Sequence, residues 1–299
     1  NITYLDHIVG THADADHIGG LAGALNIAKI GTAYCSETAH DTRAFRSFVK
    51  YLNRQGKSIT VPSCGDQFYL GSAEVTVVGP VSYGSEPNNR SIVLRIVYGN
   101  TSFLLTGDAE EEEEKEILYN TQELQSTVLK VGHHGSSAST SYRFLRAVSP
   151  SYAVISAGKD NTYGHPTEKT LSRLRDAEVE VYRTDLQGNI ICTSDGDNVS
   201  FSVSKNTGID TLAGAGPGQN NNSRTDNATD TADVEKPAGT AEEQDPVECT
   251  YILNKNTKKF HRPGCCSVSD MKEKNKKVFT GTRDEVIAQG YAPCKRCNP

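Results

Sequence analysis

The pattern of apolar and polar positions divides the chain into three parts. Over residues 1–204, short β-branched runs alternate with amphipathic stretches, and these patterns predict strands and helices respectively. The predicted strands are Tyr4–Val9, Glu74–Val78, Ser91–Val97, Ser102–Thr106, Thr127–Val131, Ala153–Ser156, Glu180–Arg183, Ile190–Thr193 and Val199–Val203. The predicted helices are Gly19–Ala28, Thr38–Gln55, Ala109–Tyr119, Ser141–Ala147 and Glu168–Asp176. We therefore expect an α/β domain over residues 1–204.

The apolar pattern lapses over residues 205–247. This segment is rich in Gly, Asn, Thr, Asp and Ala, and it has scarcely an aliphatic residue after Leu212. Such a segment buries too little apolar surface to offset the entropy lost on ordering. We predict a flexible linker here.

Residues 248–299 regain apolar positions but form a unit too small to be stable on hydrophobic burial alone. His261, Cys265, Cys294 and Cys297 form an H-x3-C and a C-x2-C pair, which have the residue types and spacing of a structural zinc site. Disulfides or reactive thiols are the alternative in a secreted protein. The set resembles the small metal-binding domain of Ada DNA-repair proteins, so we expect a zinc-stabilised C-terminal domain.

The charge is unevenly distributed along the 299 residues. The net charge is -6, with -5 on residues 205–247 and +6 on residues 248–299, which leaves -7 for residues 1–204. Any affinity of the first domain for nucleic acid must therefore come from local patches, metal ions or the basic tail.

The sequence has no run of about 18 apolar residues, so no membrane span is predicted. The chain opens on a strand pattern without Met, and we interpret this start as a truncation or processing point.

The segment THADADHIGG, residues 11–20, follows a predicted strand and precedes a predicted helix. It places His12, Asp14, Asp16 and His17 within six residues. Strand alternation would point the side chains at 12, 14 and 16 in one direction. Imidazoles mixed with carboxylates favour Zn, Mn or Fe over Ca. A polar turn with helix-capping aspartates is the alternative.

Three further segments place candidate ligands after predicted strands. SFLLTGD ends on Asp108, which could also cap the following helix, and we expect the acidic run Glu110–Glu114 to be a solvated helix start. GHHGSS contains His133 and His134, and flanking glycines would leave room for a ligand. His165 follows in YGHP, before a helix with a cap near Thr167.

These motifs together resemble the metallo-β-lactamase fold, whose H-x-H-x-D-H signature HADADH matches except that Asp14 replaces a histidine. The form H-x-D-x-D-H with I-G-G, and the HHGS element, resemble the hydrolase domain of ComEC competence proteins. The resemblance assigns His12 and Asp14 to one metal ion, Asp16 and His17 to another, and Asp108 to a bridge between them. It implies that His133 or His134 contacts metal, without deciding which, and that His165 is a ligand or stabilises the leaving group. Asn88 and Asn89 stand where many relatives have a further histidine, but an amide oxygen is a weak ligand, so we expect these two residues only to neighbour the site.

The resemblance implies an αββα sandwich that is truncated at its N-terminus, because the family's opening D-V-G-Q-G-D-like segment is absent. It also implies two divalent ions, Zn or Mn, that generate a hydroxide nucleophile. Asp16 or Asp108 would orient this nucleophile, and His133, His134 or His165 would protonate the leaving oxygen.

The expected function is that of a metal-dependent nuclease or phosphodiesterase acting on DNA, as the ComEC resemblance implies. The alternatives are a hydrolase of a small ester or lactone, and a metal-binding or DNA-binding protein without catalysis. The same resemblance implies a secreted or cell-envelope location, and it names no protein partner.

Overall fold

The structure is a computed structural model that describes residues 2–83, 86–121, 123–213, 249–261, 268, 271–281 and 283–293. The chain divides into two compact units, residues 1–222 and 223–299. Most of the predicted linker, 205–247, lies outside the described residues.

The first unit contains twelve of the described strands and seven of the described α-helices. Its strands are β1 (Tyr4–Gly10), β2 (Lys29–Cys35), β3 (Ile59–Thr60), β4 (Gln67–Leu70), β5 (Ala73–Gly79), β6 (Val93–Tyr98), β7 (Thr101–Leu105), β8 (Val128–Lys130), β9 (Tyr152–Ile155), β10 (Glu180–Arg183), β11 (Ile190–Ser194) and β12 (Val199–Val203). Its helices are α1 (Ala15–Ile18), α2 (Leu21–Ile27), α3 (Arg43–Arg54), α4 (Glu111–Asn120), α5 (Tyr142–Val148), α6 (Glu168–Asp176) and α7 (Thr184–Gln187). Asn88–Arg90 and Gly132–Gly135 form short 3₁₀ turns.

Two sheets form the centre of this unit. Sheet A has the parallel order β1-β2-β3, and sheet B has the order β10-β9-β8-β7-β6-β5-β4. Strands β4 to β7 pair antiparallel, whereas β7 to β10 pair parallel. Strands β11 and β12 form a separate antiparallel hairpin.

The buried side chains of the first unit lie in three layers. Ile8 and Ile30 of sheet A pack with Phe45 and Phe48 of α3. Between the sheets, Val9 and Tyr34 of sheet A pack against Val75, Val77 and Leu94 of sheet B. On the far side of sheet B, its buried side chains pack with the three helices α4, α5 and α6, through Ile117, Phe144 and Leu171. Helix, sheet, sheet and helix therefore stack in the predicted αββα order.

Parallel pairing brings several loops to the same edges of the sheets. Gly10 lies opposite Cys35, so the loops that follow β1 and β2 leave sheet A side by side. Strands β7, β8 and β9 are parallel neighbours, so their following loops also emerge together. The Ile92 N–H donates to the Thr11 carbonyl at 2.8 Å and ties these two edges to each other. Every candidate ligand of the first unit lies in one of these loops or in α1.

Two predicted helices have other bounds. The predicted helix Gly19–Ala28 is α2, Leu21–Ile27, and a short helix that was not predicted, α1, precedes it because the chain turns directly after Asp14. The predicted helix Thr38–Gln55 begins only at Arg43, since the Thr42 hydroxyl accepts from the Phe45 N–H and caps α3 there.

The interpretation of Glu110–Glu114 as a solvated run is wrong for two of its members. Glu113 and Glu114 are each only 2% exposed. The Glu113 carboxylate accepts from the Val81 N–H at 2.8 Å, and burial raises the pKa of Glu113 to about 7. The two oxygens of Glu114 accept from the N–H groups of Thr140 and Ser141, at the start of α5. Helix α4 is therefore fixed to its neighbours by buried carboxylates.

The packed part of the first unit continues past the predicted boundary at residue 204. The Arg183 guanidinium is buried, and it donates to the carbonyls of Thr211 and Ala213 at 3.1 Å. Leu212 packs against the core below α6. Residues 205–213 therefore belong to the first unit.

The described part of the second unit is a small sheet with one helix. Its elements are β13 (Cys249–Asn254), β14 (Lys259–His261), a 3₁₀ turn (Glu273–Asn275), β15 (Lys276–Gly281), α8 (Arg283–Ala288) and β16 (Ala292–Pro293). The strand order is β15-β13-β14-β16, and Leu253, Phe260 and Val286 form the core. This core is small, in agreement with the expected need for further stabilisation.

Glu114→Ala should lower the free energy of unfolding by about 2–4 kcal/mol, because it leaves the buried N–H groups of Thr140 and Ser141 without an acceptor. Urea unfolding of the full chain measures this. Glu111→Ala is the matched control, since Glu111 is exposed on the same helix and forms only a surface ion pair with Lys115. A control effect as large as that of Glu114→Ala would show that helix propensity, not the buried carboxylate, is responsible.

Candidate metal centre

Asp108 lies in a tight turn after β7 and is only 4% exposed. Gly107 precedes it with a φ of +54°, and a Cβ at Gly107 would lie 2.8 Å from Cβ of Ser91. The Asp108 N–H donates to the Ser91 hydroxyl at 2.9 Å. The helix that follows begins at Glu111 with Glu110 in the N-cap position, so the interpretation of Asp108 as its N-cap is wrong. The Asp108 side chain is instead free to face the histidines.

Three imidazoles surround the Asp108 carboxylate. Its Oδ2 lies 3.2 Å from Nε2 of His17, 3.5 Å from Nε2 of His134 and 3.8 Å from Nε2 of His133. Burial by itself raises the pKa of Asp108, but the hydrogen bond and charge of His17, with the charges of His134 and His133, lower it to about 2. Asp108 is therefore an anion at neutral pH, as a metal ligand must be.

Asp16 and His17 reach the centre from the first turn of α1. Oδ2 of Asp16 lies 3.6 Å from Nε2 of His17 and 3.2 Å from Nε2 of His134. Strand β1 ends at Gly10, so the predicted strand alternation through residues 12, 14 and 16 is wrong. The first turn of α1 instead brings Asp16 and His17 together.

His12 and Asp14 form a pair beside this group. Nε2 of His12 lies 3.7 Å from Oδ2 of Asp14, and the His12 and His17 rings are 4.1 Å apart. Burial, followed by the charge of His17, lowers the pKa of His12. The neutral imidazole that this favours is the form that binds metal.

His133 and His134 occupy the 3₁₀ turn after β8 with left-handed backbone, at φ of 46° and 54°. Non-glycine residues seldom adopt this conformation, and it often marks a functional site. A Cβ at Gly135 would lie 2.5 Å from Cβ of Pro166, and one at Gly132 would lie 3.0 Å from Cβ of Ser139. The flanking glycines are thus required by close packing within the protein itself, and the prediction that they leave room for a ligand stays a prediction.

The hydrogen bonds of the two rings define which nitrogen faces the centre. Nδ1 of His134 lies 2.7 Å from the Ser156 carbonyl oxygen, which can only accept, so Nδ1 carries the proton and Nε2 keeps its lone pair. Nδ1 of His133 lies 3.1 Å from the Glu110 carboxylate. Nε2 of His134 is within reach of both Asp16 and Asp108, whereas Nε2 of His133 approaches Asp108 alone. The geometry favours His134 as the ligand of the pair.

His165 lies farther out, with its ring 5.6 Å from that of His133. The side chain of Asn161 bonds to both the N–H and the carbonyl of His165, at 3.0 and 2.6 Å. Burial, followed by the charges of His133 and His134, lowers the pKa of His165. Thr167 caps the next helix, as predicted.

The donor set fits a divalent metal ion. Donor atoms of Asp16, His17, Asp108 and His134 all lie within 4.8 Å of one another. Among the described residues, buried atoms without a hydrogen-bond partner concentrate here, namely Nε2 of His12 and His134, Oδ1 of Asp108 and Nδ1 of His165. Such atoms are costly unless a ligand satisfies them. Mixed nitrogen and carboxylate donors suit Zn or Mn.

Several groups that orient these ligands were missed from the sequence. The Thr11 hydroxyl lies 3.2 Å from Nδ1 of His12 and 3.0 Å from Nδ1 of His17. The Ser91 hydroxyl lies 3.3 Å from the same nitrogen of His12. Partners of this kind fix the orientation of metal-binding imidazoles. Only their position, next to or between ligand segments, could have indicated them.

The asparagines before β6 support the centre indirectly. Asn88 donates to the Glu110 carboxylate at 2.9 Å, and the Asn89 side-chain oxygen accepts from the Glu110 N–H at 2.9 Å. These two asparagines position Glu110, whose carboxylate contacts Nδ1 of His133. This agrees with their prediction as neighbours of the site only.

In the second unit, His261 ends β14 and is 4% exposed, and neither of its ring nitrogens has a hydrogen-bond partner among the residues that the structure describes. Burial lowers the pKa of His261, which favours the neutral ring. Cys265, Cys294 and Cys297 lie outside the described residues. The zinc site therefore stays a prediction, supported by one buried imidazole without a partner.

Residues 4–159 match the model of the Metallo-beta-lactamase superfamily. ComE operon protein 3 of Bacillus subtilis (strain 168) is 35% identical over 190 residues, covering 63% of this chain and 24% of that protein. Competence protein ComA of Neisseria gonorrhoeae is 34% identical over 186 residues, covering 62% of this chain and 24% of that protein. The chain thus spans about a quarter of the length of these curated relatives.

Solved structures also match. The metallo-beta-lactamase fold protein YhfI from Bacillus subtilis aligns with a TM-score of 0.41 at 12% identity, over 66% of this chain and 78% of that chain. CmlA, a diiron beta-hydroxylase from Streptomyces venezuelae, aligns with a TM-score of 0.40 at 14% identity, over 60% of this chain and 43% of that chain.

His134→Ala should weaken binding of Zn²⁺ or Mn²⁺ by about a hundredfold or more, since it removes a donor and not merely an orienting group. His133→Ala, the matched control, should change it by about tenfold or less. Isothermal titration calorimetry of the metal-depleted full chain measures both. A larger loss in His133→Ala would reverse the assignment.

His261→Ala should lower the zinc content of the full chain by one equivalent, because it removes one donor of a tetrahedral site. Mass-spectrometric metal analysis after dialysis measures this, with His40→Ala as the control. Unchanged zinc together with fewer titratable thiols than cysteines would favour disulfides in the tail.

Proposed function

The chain belongs to the metallo-β-lactamase superfamily, and from that premise we propose that it is a metal-dependent phosphodiesterase that acts on DNA. The observation that carries this proposal is the cluster of Asp16, His17, Asp108 and His134. Its donors are those of a hydrolytic metal centre in a superfamily of hydrolases. The relatives named for competence and the ComEC-like motifs support DNA as the substrate class.

Asp16, His17, Asp108 and His134 would hold one divalent ion, and His12 and Asp14 would contribute to a second. A bound divalent ion polarises a phosphoryl oxygen and provides a hydroxide nucleophile near neutral pH. Asp16 is well placed to orient this nucleophile, since its side chain is 65% exposed at the mouth of the cluster while its Oδ2 touches His134.

His133 is the best placed of the three candidate histidines to transfer a proton. The Glu110 carboxylate, 3.1 Å from Nδ1, orients the ring and compensates the positive charge that forms when Nε2 takes up a proton. His134 is occupied as a ligand in this assignment. His165 stands beside His133, and its lowered pKa favours a neutral ring that donates a hydrogen bond to the leaving oxygen.

The competence-protein relatives also support a location at the cell envelope. Within the part of the chain that the structure describes, no helix is both long and apolar enough to cross a bilayer. We propose DNA as the principal partner and assign no protein partner.

The double variant Asp16→Ala, Asp108→Ala should lose phosphodiester hydrolysis by about a thousandfold, because metal ions contribute several kcal/mol of transition-state stabilisation. The assay uses bis(p-nitrophenyl) phosphate, single-stranded DNA and plasmid DNA with added Mn²⁺ or Zn²⁺.

Asp6→Ala is the control, since Asp6 is an exposed aspartate on β1 away from the cluster. Wild-type protein that binds metal but cleaves none of the three substrates would refute the phosphodiesterase proposal and favour a small ester or lactone. Protein that binds no metal at these residues would favour a role without catalysis.

A further inference from the structure

Helix α3 carries a stripe of positive charge in a unit that is otherwise acidic. Its side chains include Arg43, Arg46, Lys50 and Arg54 and no carboxylate, whereas residues 1–204 carry a net charge of -7. These four residues, the α3 basic stripe, are all exposed. The opposite face of the helix is buried through Phe45, Phe48 and Leu52. The stripe is therefore the solvent face of a helix that is firmly anchored in sheet A's core.

The spacing of the stripe suits a linear polyanion. Its members are three or four residues apart, so their Cα atoms rise by about 5–6 Å per step along one side of the helix. Regularly spaced positive charges match the regularly spaced phosphates of a nucleic-acid backbone.

The charges of the stripe remain largely available. Arg46 contacts Asp41, but both side chains are exposed, and such a surface pair contributes little. Arg54 lies over the Tyr51 ring at 4.7 Å, a contact that leaves its charge intact. Within the described parts of the chain, Arg43 and Lys50 form no ion pair.

A groove lies beside the α3 basic stripe. It has a volume of about 670 Å³, and its lining includes His40, Phe45, Arg46, Lys50 and Arg54. Three cationic side chains, Arg46, Lys50 and Arg54, line this groove, so it presents positive charge to the phosphates of a strand.

A chain of contacts connects the His40 end of the groove to the metal centre. His40 contacts Glu37 at 3.1 Å, and Glu37 contacts Arg90 at 2.7 Å. Arg90 ends the 3₁₀ turn whose first residue, Asn88, donates to Glu110, the partner of His133. Residues 38–40 at this end of the groove follow β2, the parallel neighbour of β1, so this end starts at the sheet edge from which the loop after β1 also emerges.

We propose that the α3 basic stripe binds the phosphate backbone of a nucleic-acid strand and leads that strand to the metal centre. This inference rests on the proposed function and names the surface that would give an acidic hydrolase its affinity for a polyanion. An acidic protein partner is the competing occupant, and the experiment separates the two.

The test measures binding of a fluorescein-labelled single-stranded oligodeoxynucleotide to the full chain by fluorescence anisotropy, in EDTA so that no cleavage occurs. The variant is Arg46→Gln with Lys50→Gln. The matched control is Arg143→Gln with Arg146→Gln, which removes two exposed charges from α5. We expect about tenfold weaker binding for the α3 variant, and a slope of log K against log salt that is smaller by about 1.4. The control should change binding by less than about twofold.

Equal losses in the two variants would overturn the inference, because they would show attraction by overall charge alone. No loss in the α3 variant would also overturn it and would assign DNA binding to the basic tail. A competition experiment with polyglutamate tests the acidic-protein alternative. If polyglutamate displaces the oligonucleotide from wild type at concentrations similar to those of unlabelled DNA, but does not displace it from the α3 variant, the stripe would be reassigned to an acidic protein. Arg46→Lys with Lys50→Arg keeps both charges and should bind as wild type does; a loss there would indicate a structural cause.

The two proposals can fail separately. Binding in EDTA requires no hydrolysis, so a wild type that binds through α3 but cleaves nothing would refute only the phosphodiesterase. A wild type that cleaves DNA while the α3 variant binds normally would refute only the stripe.

Discussion

The architecture of the first unit depends on one buried carboxylate. Asp108 is almost fully withdrawn from water, and a buried charge is tolerated only when it is paired. The imidazoles of His17, His134 and His133 surround its Oδ2 and lower its pKa to about 2, whereas its Oδ1 has no hydrogen-bond partner among the described residues. A divalent cation would satisfy Asp108 and the unpartnered nitrogens together. The loops after β1, β7 and β8 have to meet at one edge to build this arrangement, and the pairing of the sheets provides that edge.

The cluster could be predicted from the sequence because metal donors belong to few residue types and stand close together in the motif HADADH. The groups that orient these donors could not be predicted. Thr11 and Ser91 are ordinary hydroxyl residues, and the partner of His134 is the backbone carbonyl of Ser156, which no residue type identifies. The sequence also left His133 and His134 equivalent. Their difference arises from tertiary hydrogen bonds to segments that lie more than twenty residues away.

The fold was predictable where local pattern and burial agree. Strands β10 and β12 and helix α6 have the predicted bounds, since each is a continuous run of one periodicity. Strand β2 was missed because Gly31 and Ala33 weaken its apolar signal. Gly31 is nevertheless required, since a Cβ there would lie 2.4 Å from the Asp6 carbonyl oxygen. Glu113 and Glu114 show the opposite error. The charged run predicts exposed side chains, but both carboxylates are buried and accept hydrogen bonds from N–H groups that are distant in the sequence.

The left-handed turn at His133 and His134 connects strain to function. Each such residue costs about 1–3 kcal/mol, and it persists only where the surroundings fix it. Here the packing of Gly135 against Pro166 and the hydrogen bonds of both rings supply that constraint. The turn directs Nε2 of His134 towards Asp16 and places His133 against Glu110, beside His165. A regular strand would have sent two consecutive side chains to opposite faces of the sheet. The strained turn instead brings both to one edge, where one can bind metal while its neighbour exchanges a proton.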